Sequence, residues 1–360
     1  MGKYYINHSD CTDLTNQVKT LIAGATSYIK ISSFLMKDRE LVEMLKVVSK
    51  KGIAAVFVLS NLNDDTGEDN YHPNLISDLE SNEKYGINSH HEYLQELQAA
   101  GIHVRLIQEL HAKFLVVDGK EGLLMSANFA PGSLEKNRNV ETGISLCEID
   151  TINLEYIFDT MYKYADIVNY VADTSKDIIE KNNKKASRDA FDGLKGNIRL
   201  TVCGKKGKST NLSNLSIKSL YTQIISIIND ANEYLYIIAY SFKSYKYLKQ
   251  FIDAIKEARN RNVKIQIICN KEGRNENVFN NKMQFLDKLI AMGCEVYFAQ
   301  NHSKCIINEK EGMLFTANID GQNGLLNGFE VGCLFDDEQH ELARQHIMRI
   351  INNAEQYGNQ

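Results

Sequence analysis

The chain has 360 residues, 43% hydrophobic and 24% charged, with a formal net charge of −5, long enough for two ordinary domains or one large compact body. No apolar stretch approaches the roughly 20 residues that span a bilayer, and Met1-Gly2-Lys3-Tyr4 leads into polar sequence without an apolar signal core, so a cytoplasmic protein without stable membrane anchoring is expected. The seven cysteines are scattered and never spaced as CxxC, which argues against a disulfide framework or a zinc knuckle and makes Cys305 a small core residue.

Leu14, Val18, Leu21 and Ile22 form the i, i+4, i+7, i+8 stripe of an amphipathic helix. A strand through Tyr28 and Ile31 follows, then a helix with Leu41, Met44, Leu45 and Val48, then a short buried strand from Ala54 to Leu59. Residues 61–88 form an insertion rich in acid (Asp64, Asp65, Glu68, Asp69, Asp78, Glu80, Glu83). Loops at the carboxyl ends of sheet strands overhang binding clefts, so this one is expected to gate or select the substrate. His90-His91-Glu92 opens the next helix and reads as solvated, and no cluster reads as a metal site. That helix is capped by Gly101. A strand, and then a second strand carrying His111-Ala112-Lys113, complete the unit, followed by a helix from about Ile152.

The polar, lysine-rich segment 173–214 is read as a connection. Between Lys176 and Lys208 ten basic residues face four acidic ones, the composition of either a solvated linker or a phosphate-contacting strip.

After it the pattern repeats. Leu220, Ile224, Ile227 and Ile228 repeat the first stripe 206 positions on, and Tyr234 and Ile237 repeat Tyr28 and Ile31 at the same displacement. Leu248, Phe251, Ile252 and Ile255, a strand from Lys264 to Cys269, a helix ending at Gly293 and the strand of His302-Ser303-Lys304 follow in the same order. The expectation is an α/β pseudo-dimer: halves 1–172 and 215–360, each a mixed sheet flanked by helices, joined by 173–214.

Each His-x-Lys pair brings a similar tail: Ser126-Ala127-Asn128 and then Glu141 in the first half, Thr316-Ala317-Asn318 and then Glu330 in the second. Read as hairpins, the spacing predicts Val117 opposite Gly122, Lys113 opposite Ser126 and His111 opposite Asn128. In the second half it predicts Asn308 opposite Gly312, Lys304 opposite Thr316 and His302 opposite Asn318. The residue types suit a phosphate. Histidine serves near neutral pH as nucleophile or proton carrier. Lysine, asparagine and the Ser126 or Thr316 hydroxyl donate to non-bridging oxygens. Glu141 or Glu330 is placed to accept from an imidazole Nδ1 and hold Nε2 outward.

These motifs resemble the phospholipase D superfamily, whose signature is His-x-Lys, four residues, Asp, then Gly/Ser-x-Asn. His111, Lys113, Asp118, Ser126 and Asn128 match it; His302, Lys304, Thr316 and Asn318 match it with Glu309 in place of the aspartate. The resemblance covers nearly the whole chain. It implies a pseudo-two-fold fold with the active site between the halves, and a two-step reaction. One histidine attacks phosphorus to give a phosphohistidine while the other acts as acid and then activates water, without metal or cofactor. The complete motif around His111 favours it as nucleophile, the symmetry leaving His302 as the alternative. Asp118 and Glu309 complete the two motifs, and the hairpin reading gives them a structural role at the turns.

Within the superfamily, tyrosyl-DNA phosphodiesterases lack the motif aspartate, cardiolipin synthases carry N-terminal membrane helices and secreted phospholipases a signal peptide. What remains is a metal-independent nuclease acting on DNA or RNA. By family analogy it would work in a defence or restriction system beside a helicase or ATPase. A soluble lipid hydrolase or transferase, and a non-catalytic nucleic-acid-binding scaffold, are the alternatives.

Overall fold

The structure is a computed structural model and describes residues 2–8, 11–62, 90–135, 139–171, 178–204, 211–212, 214–271 and 276–358. Beyond its first two residues, the acidic insertion 61–88 lies outside them, as do Lys176, Lys205, Lys206 and Lys208 of the basic run.

The repeat is a repeat of topology. In the first half, strand Tyr28–Ser33 pairs parallel with Ala55–Asn61, which pairs parallel with His103–Ile107. On its other side Tyr28–Ser33 meets Phe114–Val117, Glu121–Met125 and Glu141–Ser145 in antiparallel succession. The second half lays down Tyr234–Ala239, Lys264–Cys269 and Glu295–Phe298 in parallel, then Cys305–Asn308, Gly312–Phe315 and Gly328–Leu334 antiparallel. Strands Tyr4–His8 and Ile198–Cys203 each add an antiparallel edge beside Glu141–Ser145 and Gly328–Leu334.

Segment 173–214, read from sequence as a connection, therefore contributes to both sheets. Ile178–Lys181 pairs with Ile167–Val171 in the first, and Ile198–Cys203 opens the second repeat just as Tyr4–His8 opens the first. A six-residue strand flanked by lysines and glycines carries too little periodic apolar signal to stand out from a polar background.

Period-two alternation divides the apolar side chains into three cores. Leu115, Val117, Leu123 and Met125 face outward with helices Asp13–Gly24, Arg39–Lys50 and His90–Ala99. The corresponding faces of the second sheet pack on helices Ser219–Asp230, Lys249–Asn260 and Glu276–Ala291. The opposite faces share one inner core: Phe114, Val116 and Leu124 from one sheet, Cys305, Ile307 and Leu314 from the other. Leu154, Phe158 and Met161 of helix Glu148–Lys163 and Ala343 and Ile347 of helix Asp337–Asn353 complete it.

The predicted helical stripes are fully used: Leu14, Val18, Ile22, Leu220, Ile224, Ile227 and Ile228 have no exposed surface. Leu14 reaches so close to the sheet that a Cβ on Gly143 would lie 2.5 Å from its Cδ1, and Leu220 stands in the same relation to Gly332 at 2.7 Å. Only glycine allows that approach, and it recurs at both equivalent places.

Two short backbone ladders join the halves at one end of the sheets. His111 N donates to Phe329 O (3.0 Å) and Phe329 N to Glu109 O (3.1 Å); His302 N donates to Val140 O (2.9 Å) and Val140 N to Gln300 O (3.2 Å). Each motif histidine is thereby fixed beside the residue that precedes the other half's glutamate.

Candidate active site

The hairpins form, but one residue out of the expected register. Val117 pairs with Glu121 and Val116 with Gly122, so Lys113 stands opposite Met125, whose N–H donates to Lys113 O at 3.1 Å. In the second half Ile307 pairs with Gly312, and Phe315 N donates to Lys304 O at 3.0 Å. The turns explain the shift. Asp118 (φ 53°) and Gly119 (φ 66°) are both left-handed and Lys120 N closes on Val117 O at 3.0 Å, a type I′ turn that leaves three loop residues rather than four. In the second hairpin Asn308 N donates to Glu311 O at 2.9 Å rather than standing opposite Gly312, and its own Oδ1 accepts from Lys310 N and Glu311 N (both 2.8 Å), an Asx turn. Ser126 and Thr316 therefore do not face the lysines.

They serve the glutamates instead, and the glutamates are exchanged between halves. Glu330 Oε1 accepts from His111 Nδ1 at 2.8 Å, and Glu141 Oε1 from His302 Nδ1 at 2.7 Å. On the second oxygen, Ser126 Oγ donates to Glu141 and Thr316 Oγ1 to Glu330. Each hydroxyl also accepts a backbone N–H, Thr142 N at 3.0 Å and Val331 N at 3.1 Å, so its proton is committed to the carboxylate. One site is built from His111 and Lys113 of the first half with Glu330 and Thr316 of the second; the other is its mirror, His302 and Lys304 with Glu141 and Ser126. A further bond between Thr142 Oγ1 and Ser303 Oγ (2.6 Å) crosses the halves beside it.

Both glutamates are buried (0% and 2% exposed), while the histidine side chains keep 18% and 13% of their surface. With Nδ1 engaged, Nε2 is the ring nitrogen left for other work. Burial pushes the two carboxyls up, but the facing histidine and the nearby lysine, Lys304 for Glu141 and Lys113 for Glu330, outweigh it and hold both below the usual carboxylate range. Burial lowers both imidazoles; the glutamates oppose this and the lysines of both halves reinforce it, leaving each below its ordinary value. The crossed His–Glu bonds bring the two sites together where the halves meet. Lys113 and Lys304 are themselves fully buried, each donating to the carbonyl of its own histidine (2.5 and 2.7 Å).

Asn128 and Asn318 are buried, 8% exposed each. Asn128 Oδ1 has no hydrogen-bond donor facing it in the protein. Asp118 and Glu309 lie at the hairpin turns. Asp118 accepts from Thr26 N, Thr26 Oγ1, Ser27 N and Tyr28 N at 2.8–2.9 Å, and Glu309 from Asn232 N, Asn232 Nδ2 and Glu233 N at 2.9–3.3 Å. Each ties its turn to the entry of the central strand. Six residues lie between His111 and Asp118, a reach of up to about 23 Å at the usual strand rise.

Two groups at the site escaped the sequence reading. Phe34 meets the His111 ring edge to face at 5.2 Å between centroids, and Tyr240 meets His302 at 5.0 Å. They stand 206 positions apart, so the displacement that identified the repeat could have found them. His90 and His91, expected to be solvated, are buried (0% and 6% exposed). His90 Nδ1 accepts from Met36 N at 3.0 Å, which makes it a brace behind the Phe34 loop. Among the described residues no group of three or more His, Cys, Asp or Glu side chains could hold a metal ion. Cys305 is fully buried, with its thiol pushed up by burial.

The comparisons decide the family. A family model described as "Cardiolipin synthase, PLD-like domain" matches residues 18–153 and again 224–353. The chain belongs to the phospholipase D-like domain family. The two matches begin 206 positions apart, at Val18 and Ile224 of the first helical stripes. Cardiolipin synthases were set aside on account of their N-terminal membrane helices; the match concerns the domain itself. Phosphatidylserine synthase of Haemophilus influenzae Rd KW20 shares the fold, with TM-score 0.64 and 14% identity over 97% of this chain and 86% of that one. Polyphosphate kinase of Porphyromonas gingivalis follows at TM-score 0.57 and 12% identity, over 96% of this chain and 46% of that one. The phospholipase D family member Nuc of Salmonella typhimurium is 16% identical over 44% of this chain and 97% of its own, at TM-score 0.35. No curated protein sequence matches. No helix among the described residues is long and apolar enough to cross a membrane. Both quartets are complete, and the chain is a phosphoryl-transfer enzyme of phospholipase D type.

Proposed function

We propose that the protein is a metal-independent phosphodiesterase that cleaves nucleic acid through a covalent phosphohistidine. His111 Nε2 attacks phosphorus as the neutral imidazole, and His302, charged against Glu141, gives its proton to the departing oxygen. His302 then takes a proton from water as that water displaces His111. Lys113 and Lys304 offset the charge of the non-bridging oxygens, and Asn128 and Asn318 donate hydrogen bonds to them. What supports the two-step mechanism is the exchanged pair of His–Glu bonds, which leaves two equivalent Nε2 atoms at one locus.

A single further observation supports nucleic acid as the substrate. Lys181, Lys184, Lys185, Arg188 and Lys195 are exposed, on a segment pinned to the site by Phe191. That ring packs edge to face on Phe329 at 6.1 Å, and the Phe329 carbonyl holds His111 N. A basic strip so anchored can follow a phosphate backbone to the histidines. The second reading, a lipid hydrolase or transferase, rests on the description of the matching family model.

Incubation in EDTA with single-stranded DNA, duplex DNA, RNA and phospholipid vesicles, alongside His111→Asn, separates the readings. Cleavage of nucleic acid lost in the variant is the expected result. Cleavage or headgroup exchange of lipid alone overturns the nuclease, and no turnover of any substrate favours the scaffold. A helicase or ATPase partner remains part of the proposal, tested by whether such a protein co-purifies and raises the rate.

A further inference from the structure

The halves differ beside the site. Lys37 and Lys243 are 206 positions apart, but Leu41 and Phe251, on the following helices, are 210 apart. The second half thus carries four additional residues, Ser244 to Tyr247. Ser244 is left-handed (φ 58°, ψ 39°), and Tyr245–Tyr247 make a 3-10 turn. A non-glycine residue there costs about 1 kcal/mol or more and persists only where its surroundings enforce it. They do so here: a Cβ on Gly321 would lie 2.7 Å from both Ser244 O and Tyr247 Cβ, so the insertion is seated directly on the opposite loop.

The insertion walls a half-open cavity of about 490 Å³, lined on its other sides by Asn280, Asn281 and Gln284 of helix Glu276–Ala291 and by Gln322. That volume lies in the range of small-ligand sites. Asp320, 5% exposed, accepts from Gln322 N at 2.8 Å and holds that wall. Tyr245 rests on Phe285, ring centroids 5.9 Å apart. Tyr247 (59% exposed) and Phe279 (36%), next to Asn280, offer bare aromatic faces.

We infer that this cavity is a subsite for a nucleobase of the strand whose phosphodiester lies between His111 and His302. The inference rests on the nuclease reading. Four carboxamides each present a donor and an acceptor, the pattern that reads the polar edge of a base, while tyrosine supplies a stacking face. The lining carries one charge, Lys246, too little for a site built around an anion.

Position supports the assignment. The walls start in the site: strand Phe242–Lys243 runs from Tyr240 to Ser244, paired in parallel with Ile319–Asp320, which runs from Asn318 to Gln322. Four residues reach at most about 14 Å, within about four nucleotides at the ~3.4 Å rise of a helical strand. Because the first half lacks the insertion, the subsite breaks the two-fold and fixes the direction in which a strand crosses the two histidines.

The test uses the full chain with a 12-nucleotide single-stranded DNA, and the same strand with abasic residues at the four positions on one side of the scissile phosphate, then on the other. Abasic residues on one side only should raise KM about tenfold, the loss of one base–aromatic stack. Tyr247→Ala and Asn281→Ala, both at exposed positions, should raise KM on the intact strand to a similar degree and leave kcat and the KM for the abasic strand unchanged. An equal change on intact and abasic strands, or no change on either, overturns the subsite while the nuclease stands. If the wild-type chain hydrolyses bis(p-nitrophenyl) phosphate but neither strand, the nuclease reading fails and the subsite with it.

Discussion

The two half-sites are alike where a proton must be held and different where a substrate must be told apart. His111–Glu330 and His302–Glu141 have the same geometry, the same hydroxyl behind the carboxylate and the same buried lysine. Elsewhere the equivalent positions differ: Phe34 beside His111 corresponds to Tyr240 beside His302, Asp118 to Glu309, and a direct entry into helix Arg39–Lys50 to the Ser244 insertion. A reaction in which one imidazole attacks phosphorus while the other gives and then takes the proton needs both rings held at Nδ1. A substrate with a direction imposes no such symmetry, and the periphery is where the repeats have parted.

The crossed carboxylates are the sharpest element of that comparison, and removing them gives the largest effect. Glu330→Gln and Glu141→Gln should each lower kcat by about 10²–10⁴, the range for losing the group that fixes a catalytic imidazole. Their pH profiles should differ. Glu330 favours the protonated form of His111, so its loss drops the His111 pKa further and moves that limb of the profile to lower pH. Glu141→Gln should move the other limb. Displacement of the same limb by both variants would break the crossed assignment.

Next in size is acid stability. His111 and His302 are lowered from 6.5, and His346 to about 3, each chiefly by burial. Below about pH 6.5 the unfolded chain therefore takes up protons that the folded one refuses, and stability falls. Glu141 and Glu330, lowered from 4.5, add stability above that value that is lost as pH falls through their folded pKa. Tm should accordingly decline from about pH 6.5 downward and more steeply below 4.5; a flat Tm between pH 7 and 5 would contradict the lowering of these imidazoles by burial.

The turn carboxylates come third. Asp118→Asn should destabilise the fold by about 1–2 kcal/mol, and Glu309→Gln by less, in keeping with four accepted bonds against three. Both should leave kcat within about threefold; a collapse of kcat at unchanged Tm would bring these residues into the chemistry. The smallest change is expected from Tyr240→Phe, which makes the two aromatic walls alike and keeps the edge-to-face contact. A loss of more than about threefold in kcat would show that the hydroxyl takes part.

Much of this was legible in the sequence because duplication wrote it twice. The 206-residue displacement gave the first helical stripes and the strands through Tyr28 and Tyr234, and extended to Phe34 and Tyr240 had it been followed further; the two His-x-Lys motifs repeat at 191. The hairpin register was missed because it depends on backbone states, the left-handed Asp118–Gly119 pair and the Asx turn at Asn308, which composition only suggests. The exchange of Glu141 and Glu330 was hidden for a different reason. Within one half each glutamate is near its own histidine in sequence, and only the ladders at Phe329 and Val140 bring it to the other. His90 illustrates the same limit: polarity suggested solvent, but packing behind the Phe34 loop decided burial.

The central claim is that two histidines, one from each half, divide a single phosphoryl transfer. The most direct measurement is steady-state turnover by His111→Asn and His302→Asn, assayed separately on the substrate the wild-type chain cleaves, with Tm recorded for each. Both variants are expected to stay folded and to lose at least about a thousandfold in kcat; normal turnover by either one would contradict the account.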